Sequence, residues 1–225
     1  MSELIRKNPS LPYVLPFVVF LVLLGLAPYL SFLGWWEFPL RIVVLCAVMW
    51  IFSRGVIDVR VRHWLGTIGM GIAVFLIWIG PDALIPGYRD SWIFQNSITG
   101  KLHSSIPADL LSDRLVLTLR TFRAVIIVPI IEELFWRAWL MRWIINTDFR
   151  QVPMGTYSAQ SFWLTAVLFA SEHGPYWEVG LIAGVLYNWW MVRTKSLGDC
   201  ILAHAITNGL LCGYVLMTGK WEYWL

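Results

Sequence analysis

Apolar runs of membrane-crossing length, separated by short polar breaks, constrain this chain more than any other feature. Leu11–Leu33 holds no Asp, Glu, Lys or Arg, and a hydrocarbon core about 30 Å thick needs about 20 helical residues to cross. Further apolar runs follow at Leu40–Phe52, Trp64–Ile79, a stretch entered near Pro107, Ser161–His173, Val179–Val192 and Asp199–Met217. Of the 225 residues 58% are hydrophobic and 14% charged, where soluble domains have about 45–50% and about 25%. The expected fold is all-α, a polytopic membrane helical bundle of about seven transmembrane helices with a polar site between three of them. No repeat divides it. It reads as one domain, 1–225, with N-terminal helices and a loop in 1–105 and the core helices in 106–225.

The first run exceeds a signal-peptide core in length and lacks an A-x-A site, so it reads as a retained anchor. Arg54, Arg60 and Arg62 crowd one loop, which marks that loop as cytoplasmic. Gly66, Gly69 and Gly71 suit close helix approach. Gly80–Ser105 is the longest non-apolar stretch, and His63 and His103 read as solvated loop histidines. Cys46, Cys200 and Cys212 have no CxxC spacing and read as small buried residues. A net charge of +3 with no Lys/Arg-rich run gives no nucleic-acid signature.

Against this background the segment Ile126–Arg142 stands out, because Glu132, Glu133 and Arg137 lie within it. Ionisable groups at membrane depth are costly and face a protein interior or a wet cavity. At about 100° per residue Glu133 and Arg137 stack at i,i+4 and can pair, leaving Glu132 without a cation. Pro129, one turn upstream, removes an amide donor and predicts a kink. Later, Phe169 and His173 share a helix face just before Gly174-Pro175. The two helices flanking that turn are expected to be short, about 13–15 residues each, which would put His173 at the depth of Glu132; an ordinary interfacial turn marked by Tyr176 and Trp177 is the equal alternative. His204 and Asn208 share a face of the last run. Hydrolysis requires a base for water, a group to orient it and donors for an oxyanion.

Glu132-Glu133-x-x-x-Arg137, Phe169-x-x-x-His173 and His204-x-x-x-Asn208, in that order, resemble the motif series of CPBP intramembrane proteases. That family joins type II CAAX prenyl endopeptidases to bacteriocin-processing and immunity proteins. The segment GLIAGVLYNWWMVRTKSL is similar to the stretch the family places between its histidines, while Ala138 stands where the family usually has Gly. The N-terminal LPYVLPFVVFLVLLGLAP resembles exosortase-associated members. The resemblance implies that Glu132 and His173 activate water, that His204 and Asn208 donate to the oxyanion, and that Glu133, Arg137 and Phe169 support them. It implies a membrane peptide or lipidated protein as substrate, and a location in the bilayer of a bacterial inner membrane. A zinc ion held by Glu132, His173 and His204 is the alternative chemistry. With no HExxH present, a scheme without a cofactor is preferred. The competing reading is a bacteriocin-immunity or scaffold protein with the same motifs, and oligomeric state is not legible.

Overall fold

A computed structural model describes residues 2–224. Among these residues the regular structure is helical, apart from one isolated bridge between Asn96 and Gly100. After a short helix Ser2–Lys7, seven longer helical runs follow: α1 Leu11–Gly25, α2 Phe32–Ser53, α3 Trp64–Leu84, α4 over residues 114–143, α5 Ala159–Ser171, α6 Trp177–Thr194 and α7 Leu197–Thr218. α2, α3 and α7 are long and apolar enough to cross a membrane, and α1 and α5 are shorter apolar helices. Val43, Leu65, Leu76 and Trp163 stand exposed on outer faces. Their exposure fits lipid tails, which are as apolar as leucine itself.

Several boundaries differ from expectation. α1 stops at Gly25, and the chain turns through Ala27–Leu30 and a 3-10 segment Ser31–Trp36 with Gly34 at φ 54°. α4 begins at Arg114, because the Asp113 carboxylate accepts the Leu115 and Val116 amides at 2.8 and 3.2 Å. This is an N-cap; Pro107 opens no more than the 3-10 turn Ala108–Leu110. α6 has 18 residues against 13 in α5, so the hairpin around Gly174 is lopsided. Cys46 is exposed, unlike Cys200 and Cys212, which are buried.

α4 departs from α-geometry at Arg123–Ile127 and at Leu134–Leu140, both π-helical. The Val128 amide reaches back to the Arg123 carbonyl, and the Met141 amide to that of Trp136. The first widened turn precedes Pro129, whose ring nitrogen has no proton to donate. The second follows the glutamate pair. Helix packing then fixes the core. A Cβ on Gly71 of α3 would lie 2.6 Å from the Ala203 carbonyl oxygen of α7, and one on Gly66 would lie 2.6 Å from the Trp190 ring of α6. Gly69 has no such neighbour and plays no part in the approach.

Two loops are tied down by charges. His63 is exposed, as expected of a loop histidine, and its Nδ1 also lies 2.7 Å from Oδ2 of the buried Asp199 at the start of α7. Arg89, 3% exposed, donates to Asp82 Oδ2 at 2.8 Å and to the Pro175 carbonyl at 2.6 Å, and it pairs with Glu178 Oε1 at 2.8 Å. Its guanidinium also lies 4.0 Å from the Tyr176 ring centre. The long loop after α3 is thereby fastened over the turn that follows His173.

Candidate active site

Six helices and the turn after α5 line a cavity of about 220 Å³. Glu132 reaches it from α4, Glu172 and His173 from the end of α5, Tyr187 from α6, and His204 and Asn208 from α7. The residues singled out from three separate stretches of sequence therefore meet in one place. Leu21 and Leu24 of α1 and Trp78 of α3 complete its apolar wall. A neighbouring groove of about 440 Å³, lined by Phe17, Leu21, Phe135, Trp136, Leu168 and Glu172, shares Leu21 and Glu172 with the cavity. α1, outside all three motifs, supplies wall to both spaces.

Behind the cavity lies a layer of opposed charges. Glu133, fully buried, pairs with Arg137 Nη1 at 3.2 Å, as the i,i+4 spacing requires. The same Oε1 lies 2.8 Å from His204 Nδ1, a contact across 71 residues of chain. Arg137 faces the ring of Phe169 at 4.4 Å and that of Tyr187 at 5.4 Å, so its remaining charge is met by aromatic faces. Tyr187 stacks on His204 with ring centres 5.2 Å apart and an interplanar angle of 23°. Its hydroxyl donates to Thr207 Oγ1 at 2.7 Å, and Thr207 donates to the Gly71 carbonyl at 2.9 Å. Glu133 thus carries His204 as well as Arg137, and Tyr187 orients the same imidazole. Neither link was legible in the sequence.

The cavity-facing groups are less committed. Glu132, 7% exposed, has Oε2 without a hydrogen-bond partner among the described residues, and His204 Nε2 lies 4.0 Å from it. His173 Nδ1 is 2.7 Å from the Phe169 carbonyl. That oxygen can accept but not donate, so Nδ1 holds the proton and Nε2 of the neutral ring is an acceptor. His204 is arranged likewise, with Nδ1–H given to the Glu133 carboxylate; it becomes a donor at Nε2 on taking up a second proton. Gly180 leaves room for the His173 ring, which a Cβ would approach to 3.2 Å, and Trp78 meets that ring edge-on at 5.2 Å. The Asn208 amide nitrogen donates to the Ala124 carbonyl at 2.8 Å, leaving a second amide proton and Oδ1. Glu172 accepts from Trp136 Nε1 at 2.9 Å and brings a second carboxylate to the cavity.

Residues 114–210 match the family of type II CAAX prenyl endopeptidases, Rce1-like. Over that segment, which is less than half of its length, the chain is similar to the Rce1-like family. This is a family of intramembrane CAAX-type endopeptidases, and the chain is an integral membrane protein. The Rce1-like match opens on the first residue of α4 and closes two residues beyond Asn208, so it contains all three motifs. Neither the curated proteins nor the solved structures compared with the chain match it. As for zinc, no group of three His, Cys, Asp or Glu side chains converges as a metal-binding set among the described residues, and Glu132, His173 and His204 do not form one.

Proposed function

We propose that this chain is an intramembrane endopeptidase of a bacterial inner membrane, hydrolysing a peptide bond of a membrane-associated or lipidated protein. The observation that carries this reading is the contrast at the paired glutamates: Glu133 Oε1 is engaged by both Arg137 and His204, while the Glu132 carboxylate makes no hydrogen bond among the described residues and lines a cavity with His173. Glu132 and the free Nε2 of His173 hold the attacking water, and Glu132 takes its proton as oxygen adds to the scissile carbonyl. Protonated His204 Nε2 and the spare Asn208 amide proton donate to the oxyanion, with the Glu133 carboxylate balancing the imidazolium charge. Glu132 then returns its proton to the leaving amine, and the bond breaks. No metal enters this scheme. The apolar groove beside Glu172 offers an entry for a substrate arriving from the bilayer.

The test compares peptide ends, by mass spectrometry, in membranes carrying the native chain and in membranes carrying Glu132→Ala. New termini that require Glu132 are expected, and they persist after chelator dialysis. Identical peptide sets would favour a binding or immunity role. About one zinc per active chain, lost in step with activity, would replace the metal-free scheme by a zinc one.

A further inference from the structure

One carboxylate at the site has no part in the hydrolytic scheme. Glu172 directly follows α5, is exposed, and lines both the cavity and the neighbouring groove. Its Oε1 accepts the Trp136 indole N–H at 2.9 Å. Arg137 is the cation that bears on it, and Arg137 is already paired with Glu133. Glu132, buried and without a hydrogen bond among the described residues, adds a second carboxylate to the same cavity, and Glu172 acts on it electrostatically. Two like charges sharing a site repel, and a cation beside them offsets the repulsion. The groove wall suits a cation as well. Phe17, Phe135, Trp136 and Trp139 line it, with the Phe17 and Phe135 rings stacked 4.0 Å apart and Trp139 5.1 Å from Phe135. Aromatic faces attract ammonium and guanidinium groups, most strongly once these have left water. Among the described residues no Lys or Arg lines that groove.

We infer that Glu172 and the aromatic wall beside it form a cation subsite that binds a Lys or Arg side chain of the substrate peptide. This rests on the peptidase reading above and narrows its substrate class. Lys and Arg carry a charged tip on an apolar stem. The stem lies along Phe17 and Leu168, and the tip reaches the carboxylate where groove and cavity meet. Glu172 adjoins His173 in the chain, and successive Cα atoms are about 3.8 Å apart. The basic residue therefore falls within a few residues of the cleaved bond. A charged side chain is costly at membrane depth unless it finds a partner. Glu172 thus separates a membrane peptide with a basic residue in an apolar stretch from purely apolar segments.

The experiment uses the whole protein in phosphatidylcholine nanodiscs, with Glu132→Gln to prevent turnover. The probes are apolar octapeptides of Ala, Val, Leu and Phe, blocked at both ends, with one position varied. That position holds Lys, norleucine (an apolar stem without the charge) or Glu. One hydrogen bond to a charged group corresponds to roughly 10–100-fold in affinity. Lys peptides are expected to bind at least about 10-fold more tightly than norleucine peptides, and Glu peptides more weakly than either. Glu172→Gln erases the Lys preference; its amide oxygen can still accept from Trp136, so the variant is expected to fold. Glu172→Asp keeps the charge on a shorter stem and retains part of the preference. Equal binding of Lys and norleucine peptides, binding of none, or a preference that survives Glu172→Gln would overturn the subsite. So would loss of the preference in phosphatidylethanolamine nanodiscs, which would assign Glu172 to a lipid amine. Native protein that cleaves Lys and norleucine peptides with equal kcat/KM keeps the peptidase and loses the subsite. A Lys preference in binding that Glu172→Gln erases, with no peptide cleaved by the native protein, does the reverse.

Discussion

Glu132 and Glu133 are neighbours on α4 and both are buried, yet they belong to different regions. Behind the cavity each charge has an opposite: Glu133 meets Arg137 and His204, and Arg137 also meets two aromatic rings. Orphaned atoms occur in both regions, at Glu133 Oε2, Arg137 Nε and Arg137 Nη2 as at Glu132 Oε2 and Arg123 Nε, but around the cavity the Glu132 and Arg123 side chains make no hydrogen bond at all among the described residues. Leaving a buried charge unopposed is expensive, so a chain keeps such groups where something else completes them. The first region holds a geometry; on the proposed reading the second receives water and substrate. The two buried arginines repeat the contrast, Arg89 being held by Asp82, Glu178 and Pro175.

The sharpest way to break this division is Glu133→Gln. It removes the carboxylate facing both Arg137 and His204, and breaking a buried pair costs about 3–5 kcal/mol. Thermal unfolding in detergent should show that loss together with lost activity. A variant as stable as the parent but inactive would mean that the roles of the two glutamates are exchanged. The arginines provide a paired comparison. Arg89→Gln removes the guanidinium from Glu178 and from Asp82, which keeps only the Tyr223 hydroxyl, and should destabilise by about 3 kcal/mol, whereas Arg123→Gln should unfold at the parent's temperature or above. Equal losses in the two variants would show that Arg123 has a structural partner after all.

Next in size is Glu132→Gln. Insertion and thermal stability should match the parent, while turnover on an identified substrate falls by a general-base factor of about 100-fold or more. Activity within threefold of the parent would remove Glu132 from the chemistry.

How far these regions could be read from sequence depends on the range of each contact. The Glu133–Arg137 pair was legible because one helix turn fixes it. The seven helical runs were legible because lipid exposure leaves a composition signal that needs no tertiary knowledge. Asp113 was equally local, an N-cap directly before α4, but Pro107 was preferred as the starting signal. The Glu133–His204 bond joins residues 71 apart, and nothing in either motif specifies which glutamate the histidine meets. The missing partner of Arg123 was beyond reach for the same reason, since lacking a partner is a property of the packed bundle. The same holds for His63 and the buried Asp199. The two π-segments escaped because one extra residue per turn leaves an apolar helix looking apolar.

Tyr187→Phe probes the smallest difference, within the opposed layer itself. The ring stacks on His204 and receives the Arg137 guanidinium on its face, and both contacts survive loss of the hydroxyl. What disappears is the 2.7 Å hydrogen bond to Thr207 Oγ1. Thr207 keeps its own bond to the Gly71 carbonyl, so no buried donor is left unmet. One such bond contributes about 1 kcal/mol net, and thermal unfolding of the variant in detergent should fall by no more than that, with turnover nearly unchanged. Tyr187→Leu removes the ring as well, so His204 loses its stacking partner and Arg137 one of its two aromatic faces. Its turnover should fall well below that of Tyr187→Phe. If the phenylalanine variant loses activity as deeply as the leucine one, the hydroxyl itself acts in the cavity, and Tyr187 moves from the opposed layer to the reactive one.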